Sequence, residues 1–392
     1  MSARRSLVTA ALAGSTLLAA TATAPAMAGG FGGMSVLRTA AAGTEIRVGD
    51  IAARGTGVVV GWQENAPGGT KRVYVKRSTT GGASFGATRR LVDRQSREIQ
   101  VDTCDGWAFA TYTEQWGSDW RVALDRLPVS GGVDYRSAVT IDRVSRHPDV
   151  ACAGERLVVA WFENVGGTWR VKLHARGVND EAKGDQLPEI DLDLGPGDVN
   201  EGLALAGTGD HVFLAWFDGD DFKFRRWDIG PGPNFPLWGA PVAILPDLEY
   251  GRDPEIGVSG DRLVLAYMNR ADLRARVSTN AAASWGVESI LEDMPFPSEV
   301  GAYPTSADVI GTRIVVGATI VGGLFEDFSG EGFLVRTTND GGSWNRVPGS
   351  TKSDGQVVGA YRGTAGSPKL VEAWDKWIAD PAVDKLRFQR ES

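Results

Sequence analysis

Only three histidines and two cysteines occur in the 392 residues of this chain. No His/Cys group has zinc-ligand spacing, so neither a metal nor a cofactor is expected. Aspartate and glutamate (49) outnumber lysine and arginine (41), leaving a formal charge of -8. With that balance and no basic run beyond the N-terminus, nucleic acid is excluded as a partner. Past the first residues, no apolar stretch reaches the roughly 20 residues needed to span a bilayer. Nor is this a disordered composition, because 42% of the chain is hydrophobic.

What is abundant is glycine (51) and tryptophan (13), with much valine. That mixture favours many short strands joined by turns. Residues 1–28 read as an export signal. Arg4 and Arg5 form a charged start, Leu7 to Ala20 is apolar, and Ala26-Met27-Ala28 is an A-x-A cleavage pattern. The mature protein is expected outside the cell, by twin-arginine or general export.

Self-similarity sets the fold. Runs of alternating apolar residues end in a small residue and an anchor position. GVVVGW ends at Trp62, WAFATY at Tyr112, RLVVAW at Trp161 and HVFLAW at Trp216. RLVLAY ends at Tyr267, RIVVGA at Ala318 and KLVEAW at Trp374. Each copy has a strand, a Gly turn, the anchor strand, a polar loop, a third strand and a weaker fourth. Four antiparallel strands in about 50 residues make a propeller blade. The fold class is therefore all-β, a seven-bladed propeller. The blades lie near 45–94, 95–145, 146–193, 199–248, 251–296, 300–351 and 352–392. The seventh copy is one strand short, and MSVLRTA (34–40) is predicted to complete it and close the ring. Cys104 and Cys152 end first strands of adjacent copies and are expected to form an inter-blade disulfide.

Three copies share a turn between third and fourth strands: RSTTGGASF (77–85), VSTNAAASW (277–285) and RTTNDGGSW (336–344). They fit S/T-x-D-x-G-x-S/T-aromatic, with Thr80, Asn280 and Asn339 in place of the aspartate. This resembles the Asp-box of the sialidase superfamily of propellers. There the box is structural and lies away from the active site, so the resemblance implies no catalytic role for these residues.

Counting from each anchor aligns the channel rim. Fifteen residues before it stand Arg47, Arg97, Arg146, Glu201, Arg252 and Tyr303; two after it stand Glu64, Glu114, Glu163, Asp218, Asn269 and Ile320. The resemblance implies a sugar carboxylate gripped by arginines from several blades, with Tyr303 placed like the family's nucleophilic tyrosine. Catalytic candidates are Tyr303, Glu163 and Asp50. Ligand-binding candidates are Arg47, Arg97, Arg146, Arg252, Glu201 and Asp218. The competing reading is structural. Hairpin arithmetic pairs Arg47 with Glu64, Arg97 with Glu114 and Arg146 with Glu163 across neighbouring strands. It sets Arg252 opposite Asn269, and Glu201 opposite Asp218 with no cation between them.

Trp116, Trp120, Trp169 and Phe222 lie in or beside loops of the rim, as sugar-stacking faces or as packing between blades. Against the family pattern, Arg47 sits in IRVGD rather than in Arg-Ile-Pro, and seven copies exceed the six blades of sialidases. The leading expectation is thus a secreted propeller binding a glycan or glycoprotein without catalysis, as a monomer. A sialidase-like exo-glycosidase and a protein-interaction platform are the alternatives.

Overall fold

The computed structural model describes residues 31, 33–104, 106–129, 135–139, 144–154, 156–178, 192–197, 202–209, 211–218, 222–228, 251–294, 301–322, 329–348, 350–353, 356–364, 366–375 and 384–391. The expected export signal lies outside them. Seven antiparallel sheets follow one another along the chain. Blade one is typical: Glu45–Arg54 is innermost, then Gly57–Asn65, Lys71–Ser78 and Arg89–Arg90 outermost. Blade four has three described strands, Leu203–Gly207, His211–Phe217 and Phe222–Asp228. Ser35–Thr39 pairs antiparallel with Lys385–Arg390, so the two ends of the chain share the seventh blade.

The second strands are apolar on both faces because each blade is covered on both sides. Val58, Val60 and Trp62 pack toward blade seven, while Val59 packs toward blade two. Seven buried clusters result, one at each seam between neighbouring blades. Cys104 and Cys152 are bonded to each other, with Cα atoms 6.1 Å apart, across the seam of blades two and three.

The three motif turns share one geometry. Ser78 Oγ accepts from the Gly82 amide at 2.9 Å, and Thr80 Oγ1 from the Ser84 amide at 2.9 Å. In blade five Ser278 and Asn280 do the same for Ala282 and Ser284. In blade six Thr337 and Asn339 serve Gly341 and Ser343. A threonine or asparagine oxygen thus replaces the missing aspartate as acceptor. Each turn also bonds the hairpin between the first two strands of its own blade, as in Gly81 N to Thr56 O at 2.7 Å. That places the motif turns at the end of the ring opposite the rim.

One irregularity recurs in the innermost strands. Blade three pairs Asp149 with Ala160 but Arg146 with Phe162, one residue out of step. The same shift falls between Val48 and Asp50, between Arg97 and Gln100, between Arg252 and Glu255, and between Pro304 and Ser306. These are β-bulges. They overturn the predicted rim pairs, since a one-residue slip sends a side chain to the other face. Arg47 pairs with Gln63, Arg97 with Thr113, Arg146 with Phe162 and Arg252 with Met268. The acids instead oppose third-strand arginines: Glu64 faces Arg72, Glu114 faces Arg121 and Glu163 faces Arg170.

Candidate functional site

At the bulges the backbone turns into the left-handed region. Glu98 has φ 58°, His147 46° and Asp253 46°, and Gly202 holds the same place in blade four with φ 71°. Such conformations are uncommon for residues other than glycine. The three side chains all line one cavity of about 560 Å³ at the mouth of the central channel. Arg47, Lys71 and Arg97 line it from blades one and two; Glu255 and Tyr303 line it from blades five and six.

Glu98 is well tied. Its Oε2 accepts from Thr113 Oγ1 and from the His147 amide, both at 3.0 Å. Its Oε1 lies 3.4 Å from Arg97 Nε. His147 stacks edge-on against Phe162. Its pKa is lowered, first by burial and then by the charges of Arg146 and Arg97, so the imidazole is held neutral.

Below the mouth, carboxylates stitch neighbouring blades. Asp50 accepts from the Ile51 amide at 2.6 Å and from the Val101 amide of blade two at 3.0 Å. Asp102 reaches Cys152 of blade three at 2.7 Å, and Asp149 reaches Leu205 of blade four at 2.6 Å. Asp308 reaches Tyr361 of blade seven at 2.6 Å. These inner-edge amides have no further strand to pair with, so the acids supply the acceptors. Burial is the main cause that pushes these carboxyls upward, Asp50 and Asp102 to about 6, Asp308 to about 7 and Asp149 to about 8. The acids recur twelve residues before the anchor (Asp50, Asp149, Glu255) or ten before it (Asp102, Asp308). That spacing was available in the sequence and is the signal the rim count missed.

The predicted site residues divide. Arg47, Arg97 and Tyr303 come together at the cavity. Arg47 also bonds Glu45 at 2.6 Å. Asp50 lies in the channel, with its two oxygens on backbone amides. Glu163 is buried at 5% exposure. Arg146 lies against Trp169, its guanidinium 5.6 Å from the ring centre. Asp218 does not lack a cation, as Lys223 Nζ stands 3.0 Å away. Glu201 and the side chain of Arg252 lie outside the described residues. The aromatic rim residues already have partners, although Trp116 stays 44% exposed. Trp116 has Arg94 and Arg121 over its ring at 3.5 and 3.6 Å, Trp120 has Arg97 at 4.2 Å, and Phe222 is in the core.

No protein-family model and no curated protein matches this sequence. Solved structures do match its fold. The phage phi92 endosialidase is 8% identical, with a TM-score of 0.53 over 92% of this chain and 69% of that one. The parainfluenza virus 5 hemagglutinin-neuraminidase is 9% identical, with a TM-score of 0.50 over 92% and 94%. The Trypanosoma rangeli sialidase is 14% identical, with a TM-score of 0.45; this chain covers 55% of it. The chain therefore has the β-propeller fold found in sialidases and neuraminidases.

Proposed function

We propose that this chain is a secreted propeller that binds a glycan in the cavity at the channel mouth. The carrying observation is the trio Glu98, His147 and Asp253, each held in a left-handed conformation at equivalent bulges. That conformation costs a non-glycine residue about 1–2 kcal/mol. Such strain is retained where a side chain serves a site. The fold alone does not require these side chains, since blade four uses Gly202 there. The cavity volume lies within the range of about 300–1,000 Å³ usual for small ligands. Charged walls and the hydroxyls of Tyr303, Thr305 and Thr319 suit a polyhydroxylated ligand. The names of the endosialidase and the hemagglutinin-neuraminidase, which share the fold, point to the same ligand class. Export is supported by the pattern of residues 1–28, and a disulfide suits an oxidising compartment.

The test is a glycan array probed with the mature chain and with His147→Ala. Binding that the variant loses supports the reading. Binding that the variant keeps, or none by either protein, overturns it.

A second reading, sialidase-like hydrolysis, is favoured by Tyr303 lining the cavity together with Arg47 and Arg97. A fluorogenic sialoside distinguishes it: turnover abolished by Tyr303→Phe would establish catalysis. Silence on both sialoside and array would leave a protein-interaction platform.

A further inference from the structure

The repeated blades supply their own internal comparison for the mouth cavity. Asp50, Asp102, Asp149 and Asp308 each hold an amide of another blade. Blade five departs from this scheme. It carries Glu255 where blades one and three carry Asp50 and Asp149. Among the described residues, no group donates a hydrogen bond to the Glu255 carboxyl. Glu255 lines both the cavity and the channel beneath, so it stands at the cavity floor. Two residues earlier, Asp253 enters the same wall from its bulge.

Blades one and two lie across the ring from blade five. From them come Arg47, Lys71 and Arg97. Arg47 and Arg97 have carboxylates nearby, in Glu45 and Glu98. Lys71 has no carboxylate partner among the described residues. Among the described residues, blade four contributes Gly202 and Leu203 to the lining. Among the described residues, the cavity thus carries two arginines and a lysine on one side, with Glu98 among them, and the two carboxyls of Asp253 and Glu255 on the other.

Granted that the cavity is the glycan site proposed above, we propose that it takes a zwitterionic sugar, an amino sugar that also bears a carboxylate, with its ammonium on Glu255 and Asp253 and its carboxylate on Lys71 and Arg97. An ammonium offers three donors, which matches two carboxyls on one wall. A bare metal ion does not fit as well, because no three His, Cys, Asp or Glu side chains among the described residues converge to hold one. Burial, then the charges of Asp149, Asp50 and Asp253, raises the Glu255 pKa well above the usual carboxyl range. An arriving ammonium reverses that preference, so binding drives the Glu255 proton into solvent.

Four sugars separate the charges: muramic acid (both), N-acetylmuramic acid (anion only), glucosamine (cation only) and N-acetylglucosamine (neither). Calorimetric titrations of the full chain are run at pH 7 in two buffers of different ionisation enthalpy. Muramic acid is expected to bind at least about tenfold more tightly than the other three, in keeping with the strength of charge-assisted hydrogen bonds. Its enthalpy is expected to depend on the buffer, reporting the released proton. Glu255→Gln should reduce its affinity to that of N-acetylmuramic acid, leave the latter unchanged and remove the buffer dependence. Asp253→Asn serves in the same way if Glu255→Gln does not melt cooperatively. Equal binding of muramic and N-acetylmuramic acid, or indifference to both variants, overturns the proposal. If no sugar of the four binds while array signals still depend on His147, the zwitterion is wrong and the cavity reading stands. If no signal depends on His147, the cavity reading itself fails.

Discussion

Raising the pH from 5 to 7 should weaken the fold, and Asp149 shows why. Its carboxyl is buried between blades three and four, bonded to the Val150 amide at 2.7 Å and the Leu205 amide at 2.6 Å. Burial, with the charges of Asp50 and Asp102 adding to it, pushes its pKa to about 8. In the unfolded chain the value is about 3.9. The folded state therefore keeps a proton that the unfolded state has lost across most of that interval. Stability from this group is complete below about pH 4 and is lost as the pH climbs toward 8. The slope is at most about 1.4 kcal/mol per pH unit, so the loss between pH 5 and 7 is on the order of 2–3 kcal/mol. Asp50, Asp102, Asp308 and Asp375, which follows the seventh blade's second strand and accepts from the Val48 amide of blade one at 2.8 Å, act in the same direction. His147, whose pKa is lowered, opposes them up to about pH 6.5. Urea unfolding followed by tryptophan fluorescence at pH 5, 6 and 7 measures the sum. Asp149→Asn, neutral throughout, should flatten the slope. Stability that is constant or rises over this range, or a slope unchanged in Asp149→Asn, would refute the argument.

Other perturbations give separate checks. Gly202→Ala should cost about 1 kcal/mol in chemical denaturation, because φ is 71° and the new Cβ would sit 3.4 Å from Asp253 Oδ1. Glu114→Ala should cost about 1.5–3 kcal/mol, since it removes the fully buried carboxylate that holds the partly exposed Arg121 and Arg136. Replacing Cys104 and Cys152 together by serine should lower the unfolding free energy by about 2–4 kcal/mol, the range for a loop of 48 residues. Deleting residues 31–39 should abolish a single cooperative melt, because it removes Leu37 from the closing seam and Arg38 from Glu64.

The ring was legible because each blade repeats one hydrophobic pattern, and the partner of Ser35–Thr39 could be read from a missing strand. The rim was not, because hairpin arithmetic assumes an unbroken ladder. A bulge adds one residue to one strand and leaves the apolar alternation near the turn intact, so Arg146 and Glu163 still look paired. The available clue was proline. Pro148 and Pro254 follow His147 and Asp253 directly, and a residue without an N–H cannot continue the ladder. The left-handed conformations of Glu98, His147 and Asp253 leave no mark in composition, because glycine is the residue expected there. The partners of the rim aromatics were also hard to read. Arg121 meets Trp116 within one hairpin of blade two, whereas Arg94 reaches the ring from the segment that precedes Ser96, a contact that nothing in the local sequence announces.

The most direct test of a ligand site at the mouth is a crystal structure of the chain soaked with an oligosaccharide taken from the array. Ordered sugar density within hydrogen-bonding distance of Glu98, His147 or Asp253 is the predicted result. Density for the same sugar on the outer strands or at the motif turns, with the mouth holding only solvent, would contradict it.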